Sequence, residues 1–353
     1  MSPTIQSLTK KLVNDPNAFA PADAQAAIVE LMAGRATSAQ IACFLIALKI
    51  LNKDAEPEIV AACAASMLEF AVKVDFSQYE GLQDSLVDVV GTGGDGMNTF
   101  NVSTTAAIVI AGAGAKVAKF GNRAASSSSG SADILESLGC KIINVTASEV
   151  PHIVNSNNFC FLFAQTFHPA VKHVAQPRRE MGIPTIFNLL GPLVNPARPK
   201  RVVIGVYSKS LGPLVIEALR LNQAKKAMVV HGAIGLDEVS PEGETFVWEL
   251  EDDIIKEYTV TPSDYGLPSH PISSVAGGTA SENAETLLKL LSNEYEGPVL
   301  DFVLLNAATA LYVSGTAKDL KEGVKLARES ITSGSAKKAL DGFRDASLQE
   351  QIK

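Results

Sequence analysis

Asp88-Val-Val-Gly-Thr-Gly-Gly-Asp-Gly-Met-Asn-Thr-Phe-Asn-Val-Ser-Thr-Thr105 follows a short apolar run, 86–90, and leads into another, 106–111. Further on, Lys119-Phe-Gly-Asn-Arg-Ala-Ala-Ser-Ser-Ser-Ser-Gly-Ser-Ala-Asp133 repeats the arrangement between 115–118 and the apolar stretch 132–138. The run before each glycine cluster reads as a buried strand and the run after it as a helix. Glycine lets backbone amides approach a ligand closely, and hydroxyls add donors without bulk. Two such loops in successive strand–loop–helix units predict a site gripping a ligand with two anionic groups. A phosphorylated sugar carrying a diphosphate fits that description.

The alternation continues outward from these loops. Strands are expected at 86–90, 115–119, 141–145, 159–163, 201–206 and 227–230, with helical stretches between them. That order predicts a mostly parallel central sheet covered by helices. Residues 244–260 alternate like antiparallel strands, and 281–291, 298–313 and 317–333 read as closing helices. The chain up to about Val72 reads as helical instead. Pro21 opens one helix and Gly34 closes it, the asymmetry expected of helix ends. Thr37 and Gln40 form a capping-box pattern before Ile41, Phe44, Leu45 and Leu48. A third helix is expected over 57–70, with Ile59, Cys63, Met67 and Phe70 on one side. Residues 75–83 read as a linker, and a Pro-, Arg- and Gly-rich section, 169–193, interrupts the α/β pattern and is expected to pack back onto the first helices. The expected fold class is therefore α/β: a small helical domain over 1–78, joined by helices from about 168–192, and a larger α/β domain over 84–350.

Composition bounds the partners. The 353 residues are 46% hydrophobic and 19% charged, which fits a globular chain with a large core. A net charge of −8 argues against a nucleic-acid partner, because binding a phosphate backbone needs a basic footprint. Cys43, Cys63, Cys140 and Cys160 have no metal-ligand spacing and read as core thiols in a reducing compartment. Residues 1–14 carry no apolar signal core, and 41–48 and 106–111 are too short to span a bilayer. The expectation is a soluble, cytoplasmic protein without membrane partners.

Several residues invite chemistry. Gly91, Gly93 and Gly96 satisfy G-x-G-x-x-G after a strand. The dinucleotide reading, however, expects an acid about twenty residues on, where this chain has Lys116 and Lys119. A P-loop is ruled out because Met97, not Lys, follows Gly96. Ser103 or Thr104 reads as an N-cap, with free amides beside it for phosphate and the Ser103 hydroxyl available to a cation. In the second loop, Lys119 supplies a positive charge, 126–129 and Ser131 supply hydroxyls to a helix start, and Asn122 and Arg123 are expected to face the cleft. Adjacent carboxylates such as Asp237-Glu238 are usually solvated, but in a loop they can share oxygen-loving Mg²⁺. His168 reads first as a buried, hydrogen-bonded histidine, while Arg178 and Arg179 lie in the interrupting section. A guanidinium there can clamp a carboxylate.

Residues 90–105, 119–139, 161–180, 186–196 and 232–239 together resemble the anthranilate phosphoribosyltransferase family, with Phe187-Asn-Leu-Leu-Gly-Pro-Leu-Val-Asn-Pro196 a further hallmark. The resemblance covers nearly the whole chain. It implies a nucleoside phosphorylase/phosphoribosyltransferase type of fold, a homodimer and a Mg²⁺-requiring glycosyltransferase of tryptophan biosynthesis. The implied reaction joins anthranilate to the phosphoribosyl group of 5-phosphoribosyl 1-diphosphate, giving N-(5-phosphoribosyl)anthranilate and diphosphate. The resemblance assigns Gly91, Gly94, Asp95, Thr99, Asn101, Val102, Ser103, Thr104, Lys119, Phe120, Gly121, Asn122, Arg123, Ala124, Ala125, Ser126, Ser127 and Ser131 to the diphosphate substrate. It places Gly91, Asn122 and Arg178 at anthranilate, with His168 beside them, and Ser103, Asp237 and Glu238 at Mg²⁺. Phe120 stands where His is usual in that family, Pro184 where Arg is usual, and Ser128 where Lys is frequent. No side chain is expected to act as an indispensable general base, because the aniline nitrogen is already a free base at neutral pH. A nucleoside phosphorylase of the same fold is the nearest rival; its Lys-His-Ser-Thr-Gly-Gly and Lys-His-Gly-Gly-Arg loops match neither Gly91–Gly96 nor Gly121-Asn-Arg123. A non-catalytic ligand- or nucleic-acid-binding homologue is the other, and the acidic charge and the Asp237-Glu238 pair weigh against it.

Overall fold

The computed structural model describes residues 3–124 and 127–349. It opens with α1 (Ile5–Asn14), α2 (Pro21–Met32), α3 (Ser38–Ile50) and α4 (Pro57–Glu69). Local chemistry sets their ends. Pro21 occupies the first turn of α2, Asp23 Oδ2 accepts from Ala20 N at 2.8 Å, and Gly34 beyond its end takes φ +70°. α3 opens with reciprocal bonds: Gln40 N donates to Thr37 Oγ1 at 3.3 Å, and Thr37 N to Gln40 Oε1 at 2.9 Å. α2 packs on α4 and α1 on α3, burying Ile28, Leu31, Phe44, Leu48 and Ile59. Each such side chain contributes roughly 1.5–3 kcal/mol.

From Leu86 the chain alternates between β1 (Leu86–Gly91), α5 (Val102–Gly112), β2 (Lys116–Gly121), α6 (Ser131–Ser137), α7 (Val150–Asn157), β3 (Phe159–Phe163), α8 (Lys172–Met181), β4 (Arg201–Gly205), α9 (Leu211–Leu221) and β5 (Lys226–Gly232). β6 (Thr245–Glu251) and β7 (Ile254–Val260) follow as a hairpin, then α10 (Ala280–Leu291), α11 (Pro298–Ser314), α12 (Leu320–Thr332) and α13 (Ser335–Leu348). The strands form one seven-stranded sheet in the order β3-β2-β1-β4-β5-β6-β7, parallel from β3 to β5 and antiparallel beyond. Parallel strands buried on both faces need near-continuous apolar sequence, and β3, Phe-Cys-Phe-Leu-Phe, supplies it. The apolar α5 sits between the sheet and α11 and α13. The interrupting section lies against the first helices: α8 packs against α3 and α2, and Val72 N donates to Phe167 O at 2.8 Å.

The topology fixes where a ligand can bind. β1 is laid down centrally, β2 and β3 are added on one side, and the chain then returns to place β4 on the other. Crossovers leaving in opposite directions open a crevice at the carboxyl ends of β1 and β4, the usual binding point of such sheets.

One expectation of secondary structure fails locally, and one helix was missed. Residues 141–145 form not a strand but a single 3-10 turn, Ile142–Asn144. The end of α13 covers them: Lys141 N donates to Ser347 Oγ at 2.9 Å and Asn144 Nδ2 to Ser347 O at 3.2 Å, so their polar groups need no ladder. The helix α13 itself went unforeseen, although Ala336, Ala339, Leu340 and Phe343 are buried with helical spacing. Cys43 does not meet the expectation of a core thiol: it is exposed, on the side of α3 away from the buried Ile41, Phe44, Leu45 and Leu48.

Candidate functional site at the sheet switch point

β1 and β4 end side by side, with Gly91 opposite Gly205. A Cβ on Gly91 would stand 2.6 Å from Asp237 Oδ2, and one on Gly205 would stand 1.5 Å from the Asp237 carbonyl oxygen. The paired glycines therefore make room for the acidic loop at the switch point. The first glycine loop then winds through left-handed turns, with φ of +67° at Gly93, +87° at Gly94 and +71° at Gly96. This path lets Gly93 N donate to Asp237 Oδ2 at 2.7 Å, and Asp95 Oδ1 accept from Met97 N at 3.1 Å.

Asp95, Asp237 and Glu238 crowd one another. Burial and then the neighbouring Asp95 raise the Asp237 carboxyl well above the carboxylate range, only partly offset by the Gly93 amide. Burial and Asp237 raise Glu238 in the same direction, and Lys119 opposes this. Lys119 is buried; its Nζ donates to Val89 O, and desolvation lowers its pKa against the pull of Asp88 and Glu238. It is thus held beneath the loops rather than free toward solvent. Carboxylates that destabilise one another suit a shared hard cation. Among the described residues, no three His, Cys, Asp or Glu side chains form a cluster able to hold a metal. Mg²⁺ fits such a partial set, because it keeps waters and substrate phosphates as its other ligands.

The helix after this loop begins two or three residues earlier than expected: Asn101, not Ser103 or Thr104, is the N-cap of α5, and its side chain does not cap. Asn101 instead donates from Nδ2 to Ser129 O at 2.9 Å and accepts from Asn283 Nδ2 at 2.8 Å. Val102, Ser103 and Thr104 make the first turn, so its amides remain free of side-chain acceptors. The Thr104 and Ser129 hydroxyls are buried with no hydrogen-bond partner among the described residues, an arrangement that proteins keep where something else satisfies the groups.

In the second loop Asp133 Oδ2 accepts from both Ala124 N (2.9 Å) and Gly130 N (2.8 Å), and a Cβ on Gly130 would lie 2.3 Å from Ala124 N. The chain is folded tightly on itself before α6, whose first residue is Ser131. Asn122 Oδ1 accepts from Arg123 N at 2.9 Å. Arg123 does not face the cleft as expected: its guanidinium pairs with Glu136 at 2.6 Å and lies 5.0 Å from the Phe163 ring centroid. Ala125 and Ser126 lie outside the described residues.

A third group borders the end of β2. Phe120 packs on the His168 ring at 5.3 Å. His168 is buried, its Nε2 donates to Val194 O at 2.8 Å, and burial lowers its pKa. On α8, the Arg178 guanidinium lies 4.9 Å from the Phe187 ring centroid, and desolvation lowers its pKa. No salt bridge engages it among the described residues, whereas Arg179 is exposed.

Four polar residues of this region were missed. Asp88 accepts from Asn195 Nδ2 at 2.8 Å and from Phe120 N at 3.3 Å, and Asn195 Nδ2 also donates to Ala118 O at 2.7 Å. Burial pushes the Asp88 carboxyl up to about 6 against the pull of Lys119. A lone acid inside the buried strand Leu-Val-Asp-Val-Val-Gly was the available signal. Asn98 and Asn283 tie the loops together through contacts between distant segments, which no sequence pattern announces.

A family described as "Glycosyl transferase family, helical bundle domain" matches residues 6–71, and "Glycosyl transferase family, a/b domain" matches residues 83–337. The anthranilate phosphoribosyltransferase of Schizosaccharomyces pombe is 44% identical over 327 residues, 92% of each chain. That of Dehalococcoides mccartyi is 48% identical over 316 residues, 89% of this chain and 90% of the relative. Among solved structures, the anthranilate phosphoribosyltransferase of Saccharomyces cerevisiae in complex with PRPP and Mg superposes with a TM-score of 0.89 at 38% identity, covering 97% of both chains. The enzyme of Thermus thermophilus gives 0.89 at 39% identity, covering 97% of this chain and 99% of that one. With its helical part, its mostly parallel sheet and two glycine loops at the switch point, the chain belongs to the anthranilate phosphoribosyltransferase family.

Proposed function

We propose that this chain transfers the 5-phosphoribosyl group of 5-phosphoribosyl 1-diphosphate to the amine of anthranilate, the second step of tryptophan biosynthesis from chorismate. The observation that carries the reading is the meeting of both glycine loops with the Asp95, Asp237 and Glu238 carboxylates at one switch point. The diphosphate lies between the loops. The Ser103 and Thr104 amides in the first turn of α5, which meet no side-chain cap among the described residues, face its oxygens. Asp237 and Glu238 hold Mg²⁺ with the Ser103 hydroxyl, and the ion, when bound, supplies positive charge against the departing diphosphate. Arg178, fixed on Phe187, clamps the anthranilate carboxylate beside Asn122 and Gly91. His168, neutral and committed to Val194 O, shapes that side through Phe120 without moving a proton. Catalysis is then electrostatic and positional.

A homodimer is the assembly that the family resemblance implies for this chain. A cytoplasmic location accords with four cysteines that form no disulfide. No helix among the described residues is long and apolar enough to cross a membrane.

Anthranilate fluorescence tests the reading. It should fall when 5-phosphoribosyl 1-diphosphate and Mg²⁺ are both added, and not with either alone. A steady signal under all three conditions would remove the assignment.

A further inference from the structure

Asn98 lies outside every role assigned above, yet it touches two separate segments. Its φ of +45° places a non-glycine residue in the left-handed region, which asparagine tolerates better than most residues. That turn aims its side chain across the cleft. Asn98 Oδ1 accepts from both Ser128 N, at 3.0 Å, and Ser128 Oγ, at 2.8 Å. On its other side Asn98 O accepts from Gly277 N at 2.8 Å, and Asn98 Nδ2 donates to Gly277 O at 3.4 Å. Gly277 is pressed so close that a Cβ would lie 2.5 Å from Thr99 O. The strap around Gly277 continues into α10, which packs on α6 and carries Asn283, the donor to Asn101. The first loop is thus anchored on the strap and holds the second at two successive residues: Ser128 through Asn98 and Ser129 through Asn101.

We infer that Asn98 is a positioning residue for the diphosphate substrate, fixing the serine loop against the glycine loop before the ligand arrives. Ordering a free loop costs conformational entropy that binding must then supply. A loop already fastened does not draw that cost from binding. Ser128 is suited to the task because its short side chain and its own amide reach one acceptor together. Asn98 and Ser128 are both exposed, so water competes with these bonds and their loss should weaken binding without unfolding the chain.

The inference rests on assigning both loops to the diphosphate substrate, and the test separates the two claims. Steady-state kinetics of the full chain are compared for Asn98→Gly, Ser128→Ala, the double variant and Ser103→Ala. Glycine keeps the left-handed backbone and removes only the side chain. Asn98→Gly should raise KM for 5-phosphoribosyl 1-diphosphate about fivefold to tenfold, as expected for losing one or two exposed hydrogen bonds. KM for anthranilate should stay within about twofold, and the melting temperature should be nearly unchanged. Ser128→Ala should produce a smaller rise and add nothing in the double variant, because both changes remove the same bond. An unchanged or lowered KM in Asn98→Gly, or full additivity, overturns the role of Asn98 if Ser103→Ala still weakens the diphosphate substrate. If Ser103→Ala is also silent, the assignment of the loops falls along with it.

Discussion

The Asp237 carbonyl oxygen stands where a Cβ of Gly205 would lie, 1.5 Å away, so the end of β4 and the acidic loop are in main-chain contact. Gly91, paired with Gly205 across β1 and β4, is pressed chiefly by the Asp237 side chain, 2.6 Å from Oδ2, while the Asp237 carbonyl oxygen stands farther off at 3.4 Å. The two glycines should therefore respond differently to one methyl group. Gly205→Ala must shift backbone and should cost about 1–3 kcal/mol of stability, together with most of the activity. Gly91→Ala can be accommodated by turning the carboxylate. Its melting temperature should change little, while the Mg²⁺ concentration for half-maximal rate rises about tenfold or more. Equal thermal losses in the two variants would contradict this division.

Arg178 is a cation supported by an aromatic face and, among the described residues, not by an acid. Arg178→Ala should raise KM for anthranilate by about tenfold to a hundredfold, the range expected for a charge-assisted clamp. KM for the diphosphate substrate should move less than about threefold. Similar increases for both substrates would place Arg178 away from the anthranilate carboxylate.

His168 has a pKa lowered by burial, so the folded protein binds its proton less readily than the unfolded chain does. The stability linked to neutral His168 is fully present above about pH 6.5. It is lost as pH falls through the lowered folded value. His168→Gln retains a donor for Val194 O and should flatten the fall in melting temperature between about pH 7 and pH 5. Turnover should drop far less than the ~10²–10⁴-fold expected on deleting a general base. A loss of that size with substrate binding intact would show that His168 transfers a proton.

Asp88 and Lys119 are buried charges beneath both loops that draw on each other without direct contact: Lys119 Nζ donates to Val89 O, and Asp88 accepts from Asn195 and Phe120. Asp88→Asn removes the carboxylate that offsets the buried ammonium and should destabilise the chain by about 1–3 kcal/mol. The folded carboxyl titrates near 6 against an ordinary value of 3.8, so its contribution to stability grows as pH falls between those values. That component should vanish in the variant, as chemical denaturation at a series of pH values would reveal.

Much of this was legible in the chain because local rules and tertiary structure agree. Pro21, Gly34 and the Thr37–Gln40 box mark helix ends that the structure keeps, and the apolar runs before Gly91 and Gly121 are β1 and β2. Reading failed where partners distant in sequence decide. Residues 141–145 carry strand-like composition but find Ser347 instead of a neighbouring strand. Arg123 looked available to a ligand until Glu136, on the following helix, claimed it. Lys119 looked like a free cation, yet its position in β2 directs it into the sheet toward Val89. Asn98 and Asn283 gain their meaning only from the meeting of loops far apart in sequence.

A crystal structure of this chain with 5-phosphoribosyl 1-diphosphate and Mg²⁺ tests the central claim most directly. The diphosphate should lie between the first turn of α5 and the serine loop, with a metal on Asp237 and Glu238. Diphosphate bound outside both loops, or a metal held without either carboxylate, would contradict the account.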